Sequence, residues 1–292
     1  MSRRAAVFGA AGQLGRELVR ELNARGYRTA AWDRRQLDIG DAAAVESALN
    51  SCEANVVFNS AAYNQVDVAE KEPLAALQVN ALAVRNIALA CRQLDARLVH
   101  FSTDYVFDGF ATRPYTEDAP PHPLSAYAVS KLAGELYAQA YLEAPLIVRT
   151  CGVFGPEGRY TARGNFVEVM LRLAGSAKPI RVVEDHVASP TFAPWLAART
   201  IDLVERGQTG VFHIGGGTPV AWFEFARMIF EIAGLSPELT PTNEREYRTA
   251  ARRPKYSVLS NAKMEAAGVA PLPPLREALE SYFHQRKAQP AS

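Results

Sequence analysis

Ala5-Ala6-Val7-Phe8-Gly9-Ala10-Ala11-Gly12-Gln13-Leu14-Gly15 is the stretch on which the fold turns. Four apolar residues run straight into a GxxGxxG segment, after which Leu14, Leu18, Val19 and Leu22 recur at helical spacing up to Gly26. That order predicts a buried strand, a tight glycine turn and a helix. Glycines at such a turn permit close backbone approach to a pyrophosphate, and the helix start offers unpaired N–H groups and a positive dipole end. The spelling differs from the GxGxxG dinucleotide fingerprint, and glycines also serve packing alone. The strand–turn–helix setting is what favours a dinucleotide over packing alone. Asp33 follows the second strand, 18 residues past Gly15, and adjoins Arg34 and Arg35. An acid there accepts from the ribose hydroxyls of NAD, whereas an arginine receives the 2′-phosphate of NADP, so both coenzymes stay open.

The same alternation continues outward. Strands are expected at 29–32, 56–58, 97–101 and 146–148, with helices over about 42–49, 73–94 and 125–141. Apolar strands separated by helices predict an α/β fold, a doubly wound, Rossmann-like parallel sheet over residues 1–150. Beyond Thr150 glycines and prolines crowd the chain. Helices are expected near 165–174, 192–205, 221–233 and 274–283, with strands at 180–183 and 210–214. Residues 151–292 are read as a smaller, loop-rich substrate lobe that exchanges some chain with the first. The Pro-, Thr- and Arg-rich stretch 235–256 is read as an exposed excursion, and Lys287–Ser292 as a frayed tail.

Composition narrows the function. In 292 residues, 32 Lys+Arg against 31 Asp+Glu give a net charge of +1, so no phosphate-neutralising patch or anionic-membrane binder is expected. No uninterrupted apolar run approaches the ~18 residues of a spanning helix. Arg3-Arg4 before an apolar run imitates a signal peptide, but Gly12-Gln13 and Arg16-Glu17 break it. Cys52, Cys91 and Cys151 are odd in number and lie outside any CxxC, which fits a reducing cytoplasm better than a disulfide or zinc framework. Neither nucleic acid nor membrane is an expected partner, and no metal site is read from the carboxylates.

Tyr127 and Lys131 stand i, i+4 on one face of the helix that begins near Ser125. An ammonium beside a phenol lowers its pKa from ~10 towards working pH, which suits a general acid. By itself such a pair also occurs on solvated helix faces. Ser102-Thr103-Asp104-Tyr105, read as following the fourth strand, adds hydroxyls where a doubly wound sheet opens its ligand crevice. Together with the glycine turn, these residues predict a hydride-transfer site.

With Asn80 in the helix over 73–94, these motifs resemble the extended short-chain dehydrogenase/reductases. Within them, the chain is similar to the dTDP-4-dehydrorhamnose reductase family. The resemblance is carried by Gly12-Gln13-Leu14-Gly15, Leu37-Asp38-Ile39, Asn59 to Tyr63, Ser102 to Gly109, Tyr127 to Leu132, Arg149-Thr150, Gly164-Asn165-Phe166, Trp222 to Ala226 and Arg253-Pro254. It implies reduction of the C4 ketone of a dTDP-4-keto-6-deoxyhexose by NADPH or NADH, with Thr103, Tyr127 and Lys131 as the catalytic set. It also implies coenzyme contacts from Gly9, Gly12, Gln13, Leu14, Gly15, Asp33, Arg34, Asp38, Ile39, Ala61, Ala62, Tyr63, Asn80 and Ser102, besides Tyr127 and Lys131. Substrate contacts are implied for Asn64, Val66, Thr103, Asp104, Tyr105, Tyr127, Gly152 and Asn165. Some family members use Mg2+, and a monomer or a homodimer is admitted. Gly152 departs from the pattern, since the family commonly carries a tryptophan there. That opens the alternative of a related nucleotide-sugar 4-ketoreductase with another sugar. A non-catalytic protein like the regulatory subunit of methionine adenosyltransferase, which resembles the same family, is the other alternative.

Overall fold

The computed structural model describes residues 3–161, 164–176 and 178–288, so most of the tail expected to fray lies outside the described residues. The chain opens with β1 (Arg4–Phe8), α1 (Gln13–Ala24), β2 (Arg28–Trp32), α2 (Ala42–Cys52) and β3 (Val56–Asn59). It continues through α3 (Val66–Ala69), α4 (Pro73–Leu77), α5 (Ala83–Gln93), β4 (Arg97–Thr103), α6 (Ala126–Tyr141) and β5 (Leu146–Thr150). After these come α7 (Phe166–Ala174), β6 (Ile180–Val183), β7 (Val187–Ala188), α8 (Ala193–Glu205), β8 (Gly210–His213), β9 (Val220–Ala221) and α9 (Trp222–Ala233). Finally there are β10 (Leu239–Thr242), α10 (Ala262–Ala266) and α11 (Leu275–Ala288).

Six strands form one sheet in the order β2-β1-β3-β4-β5-β8, and every pair is parallel. Strand period explains why it is buried twice. Val7, Phe58, Val99 and Val148 feed one core beneath α1 and α8, whereas Ala6, Phe8, Val57, Leu98 and Ile147 feed the other beneath α2 and α5. The order reverses at β1, which opens a crevice at the carboxyl ends of β1 and β3. Two elements from beyond residue 150 serve this layer: β8 extends the sheet beside β5, and α8 covers α1. A third core holds Phe154, Phe192, Phe225, Phe230 and Tyr282 between α7, α9 and α11.

Two expectations are corrected and a third is completed. The fourth strand does not stop at Phe101: Ser102 and Thr103 are its last residues, in register with Arg149 and Thr150. Pairing there is by backbone, so it outlasts the apolar run. The helix over 73–94 is interrupted by a π turn at Gln78–Leu82. Against that turn lies Gly134 of α6, where any Cβ would run into the Asn80 carbonyl. The stretch 235–256 is exposed along 245–250, as expected, yet it is anchored on both sides of that segment. β10 pairs with β6, and Arg253 clasps Asp67 at 2.6 Å, pinning the stretch to α3. By length and composition the run Pro73–Gln93 could cross a bilayer, but half of it is buried inside the molecule.

Candidate active site

A cavity of about 580 Å3 sits at the crevice. It gathers Gly12, Gln13, Leu14, Gly15, Ala61, Ala62, Asn64, Ser102, Thr103, Asp104, Tyr127, Lys131, Gly152 and Asn165, all expected at the site. The glycine turn fits a pyrophosphate. Gly12 starts α1 without a side-chain cap, leaving the first helical N–H groups for a ligand. Gly9 has φ +79°, and a Cβ on it would stand 2.6 Å from the Ala61 nitrogen, so only glycine brings the turn this close to the segment after β3.

Gln13 does more than line the turn. Its Nε2 donates to the Val153 carbonyl at 2.8 Å, and its Oε1 accepts from Asn165 Nδ2 at 3.2 Å. Asn165 also donates to the Gly155 carbonyl and caps α7 by accepting from the Glu168 N–H. The glycine turn and the loops around Val153 and Asn165 are therefore tied through one amide.

The proposed catalytic groups converge from β4 and α6. Ser125 caps α6 by accepting from the Ala128 N–H, which sets the phase that turns Tyr127 and Lys131 inward. Tyr127 meets the Tyr105 ring edge-on, with centroids 6.2 Å apart. Thr103 Oγ1 accepts from the Tyr105 N–H at 3.2 Å and donates to Asp104 Oδ1 at 3.1 Å. Lys131 Nζ donates to the Phe101 carbonyl at 2.6 Å. The expected electrostatics need correction here. Burial pushes the Tyr127 phenol above its usual range; the Thr103 hydroxyl opposes the shift and Asp104 adds to it. Burial also lowers the Lys131 ammonium to about 8, although Glu135 opposes this. The spacing gave the shared face, but both groups lose water, and desolvation governs each.

Other expected residues lie around the cavity rather than among its lining. Asp33 Oδ1 accepts from the N–H groups of Arg35 and Gln36, so one carboxyl oxygen shapes the turn after β2. Arg34 is exposed on that turn. Asp38 Oδ1 accepts from the Gly40 N–H, while the Ile39 side chain belongs to the core beside Val45 and Leu49. Asn80 is buried and braces the site: it accepts from the Tyr63 N–H and donates to the Tyr63 carbonyl and Ser130 Oγ. Val66 and Tyr105 pack with Tyr127 in a small apolar cluster.

Gly152 has φ +46°, and a Cβ there would meet the Trp222 ring at 3.0 Å. The indole of Trp222 thus stands against the position where the family pattern has its tryptophan. His186 bonds Asp185, and Cys151 is a buried thiol pushed far up by desolvation. Ser60, Gln65, Phe101, Thr150, Val153, Thr161 and Gly164 also line the cavity, beyond the site residues expected from the sequence. Ser60 and Thr150 fall inside the quoted motifs, whereas Val153 and Thr161 carry no signal beyond their loop. Among the described residues no three His, Cys, Asp or Glu side chains gather as a metal-binding group.

The family described as RmlD substrate binding domain matches residues 3–288. A dTDP-4-dehydrorhamnose reductase of Streptomyces griseus is 39% identical over 284 residues, covering 95% of this chain and 92% of the relative. A dTDP-4-keto-6-deoxy-D-glucose reductase of Streptomyces niveus is 36% identical, covering 97% of each. Among solved structures, the dTDP-4-dehydrorhamnose reductase of Bacillus anthracis str. Ames in complex with NADP superposes with a TM-score of 0.92 at 35% identity, covering 98% of this chain and 100% of that one. With the family match spanning nearly every residue, this chain belongs to the RmlD substrate binding domain family.

Proposed function

We propose that the chain is an NAD(P)H-dependent oxidoreductase that reduces the C4 ketone of a dTDP-4-keto-6-deoxyhexose, with dTDP-4-dehydrorhamnose giving dTDP-L-rhamnose as the leading substrate and product. One observation carries this reading: the glycine turn of α1 and the Thr103, Tyr127 and Lys131 side chains line a single cavity. A reduced nicotinamide, when bound, supplies the hydride. The first turn of α1 holds its pyrophosphate, and the Lys131 ammonium holds the adjoining ribose. Tyr127 gives its phenolic proton to the C4 oxygen, and Thr103 hydrogen-bonds that oxygen as charge develops on it. Asn64, Asp104 and Asn165 bound the space left for the sugar nucleotide.

The test is loss of NADPH absorbance on addition of a verified dTDP-4-keto sugar, with the C4 configuration of the product read by NMR. A chain that binds coenzyme yet consumes none with any dTDP-4-keto sugar would instead be the non-catalytic relative. A reductase of different sugar specificity is the second reading, because Gly152 lines the cavity with no side chain where the family pattern has an aromatic one. Comparing kcat/KM across dTDP-4-keto sugars separates the two. Three free cysteines support a cytoplasmic setting. Sedimentation would distinguish monomer from homodimer.

Coenzyme choice has its own expected result. Arg34 and Arg35 favour a 2′-phosphate, whereas the Asp33 oxygen not used in the turn repels it. Asp33→Ala should raise the NADPH-to-NADH ratio of kcat/KM by roughly tenfold, the size of one lost charge–charge repulsion near the surface. An unchanged ratio would mean that Asp33 serves only the turn.

A further inference from the structure

Thr103 has a single hydroxyl proton, and it points to Asp104 Oδ1 at 3.1 Å while the Tyr105 N–H occupies one of its lone pairs and the Tyr127 phenol stands beside the same hydroxyl. As long as Asp104 accepts that proton, Thr103 has none to offer a ligand oxygen in the cavity. From this accounting, and resting on the reductase reading above, we infer that Asp104 is a positioning residue that acts in its protonated form, donating to Thr103 Oγ1 and turning the threonine proton towards the substrate carbonyl.

Three observations carry it. Asp104 is 2% exposed yet lines the cavity, one residue beyond the end of β4. Its Oδ2 makes no bond of good hydrogen-bond geometry, although Ser257 and Cys151 stand beside the carboxyl, and that state is less costly for a neutral acid than for a carboxylate. The cations of the site are engaged elsewhere: Lys131 donates to the Phe101 carbonyl, and Arg253 clasps Asp67. Around the carboxyl stand Tyr105 on its own turn, Tyr127 from α6, Cys151 after β5 and Ser257 from the second lobe. Burial dominates, pushing Asp104 up to about 6 against the donors Ser257, Cys151 and Thr103. With the proton on Oδ1, Thr103 Oγ1 accepts twice, from Asp104 and from the Tyr105 N–H, and its own hydrogen is released. With the proton gone, the carboxylate reclaims that hydrogen and adds negative charge next to the oxygen on which negative charge develops.

The rate of the hydride step should therefore be highest below about pH 6 and fall as the pH rises, because the group must be protonated to act. A single ionisation allows up to tenfold per pH unit, and one lost oxyanion donor bounds the fall at roughly 10²-fold. Asparagine is nearly isosteric, and its amide donates to Thr103 at every pH. Asp104→Asn is expected to lower the pH 5 rate several-fold and to abolish the fall between pH 5 and 7.5. Asp104→Ala frees the threonine proton as well, but leaves nothing to orient the hydroxyl, so it should also lose the pH dependence and be slower than the asparagine variant by roughly tenfold throughout. Coenzyme titration confirms that each variant is folded, and NADPH deuterated at the transferred position confirms that hydride transfer is being read. An asparagine variant as slow as the alanine one, or one that keeps the wild-type fall, overturns the inference.

A second readout does not need turnover. The infrared difference spectrum between pH 5 and pH 8 should contain a protonated-carboxyl band that disappears in Asp104→Asn. Its absence from the wild type overturns the inference even in an active reductase. A chain that shows the band but reduces no dTDP-4-keto sugar overturns the reductase reading instead.

Discussion

Tyr127→Phe is expected to lower turnover by ~10²–10⁴-fold while leaving coenzyme affinity within about threefold of wild type. The substitution removes one oxygen and keeps the ring, so the edge-on contact with Tyr105 and the packing on Ala69 and Ala76 persist. The helix phase is also preserved, because it is set by the Ser125 cap and by the Ser130 hydroxyl bonded to the Tyr127 carbonyl. What disappears is the proton for the C4 oxygen. Burial raises the phenol above its usual range, which keeps it protonated at neutral pH and ready to donate. An alkoxide is the stronger base, so the transfer remains downhill. The same shift disfavours the reverse reaction, which needs a phenolate to take the proton from the alcohol. Stopped-flow loss of NADPH absorbance gives the rate, and quenching of protein fluorescence by NADPH gives the affinity. Turnover within threefold of wild type would remove Tyr127 from the acid role.

The sequence is most legible where local chemistry decides the structure. β1, the glycine turn and α1 follow from four apolar residues, glycine spacing and helical period, and all three stand where those signals put them. Tyr127 and Lys131 share a face because a helix at that spacing allows nothing else. Legibility ends where the partner is distant in sequence. The apolar run stops at Phe101, yet backbone pairing with Arg149 and Thr150 carries β4 on through the two hydroxyl residues. Lys131 could be placed on its face, but not against the Phe101 carbonyl that holds its ammonium. Composition marks 235–256 as solvated, which 245–250 is, but neither the pairing of β10 with β6 nor the Arg253–Asp67 clasp has a local signature. Asn165 and Gly152 entered the site through family resemblance. Their physical roles, tying the loop to Gln13 and making room beside Trp222, exist only once the lobes are folded together.

Gly15→Ala is expected to weaken coenzyme binding by roughly 10²-fold, although it adds a single methyl group at a position where helix propensity favours alanine. Steric contact outweighs propensity here. The new Cβ would run into the Gly9 carbonyl oxygen and stand 2.9 Å from Ala10 Cα, and both of these are backbone atoms of the turn itself. A flexible side chain could rotate aside, whereas a backbone turn has to shift as a unit. Gly9 cannot take up the shift easily: it lies at φ +79° and is pressed against Ser60 and Ala61. Its neighbour Ala10 is held through its N–H to the Trp32 carbonyl at 3.0 Å. Helix α1 must then move off β1, which opens the close packing that brings its first N–H groups to the pyrophosphate. Overpacking of this kind costs about 1–3 kcal/mol, enough to lower the melting temperature by several degrees without unfolding the chain at 25 °C. Affinity should suffer more than stability, because the displaced atoms are the ones that would hold the phosphates. NADPH titration and a thermal melt of the same preparation separate the two effects. Wild-type affinity together with a lowered melting point would mean that the coenzyme does not rest on this turn, and a wild-type melting point would mean that the turn is looser than its contacts indicate.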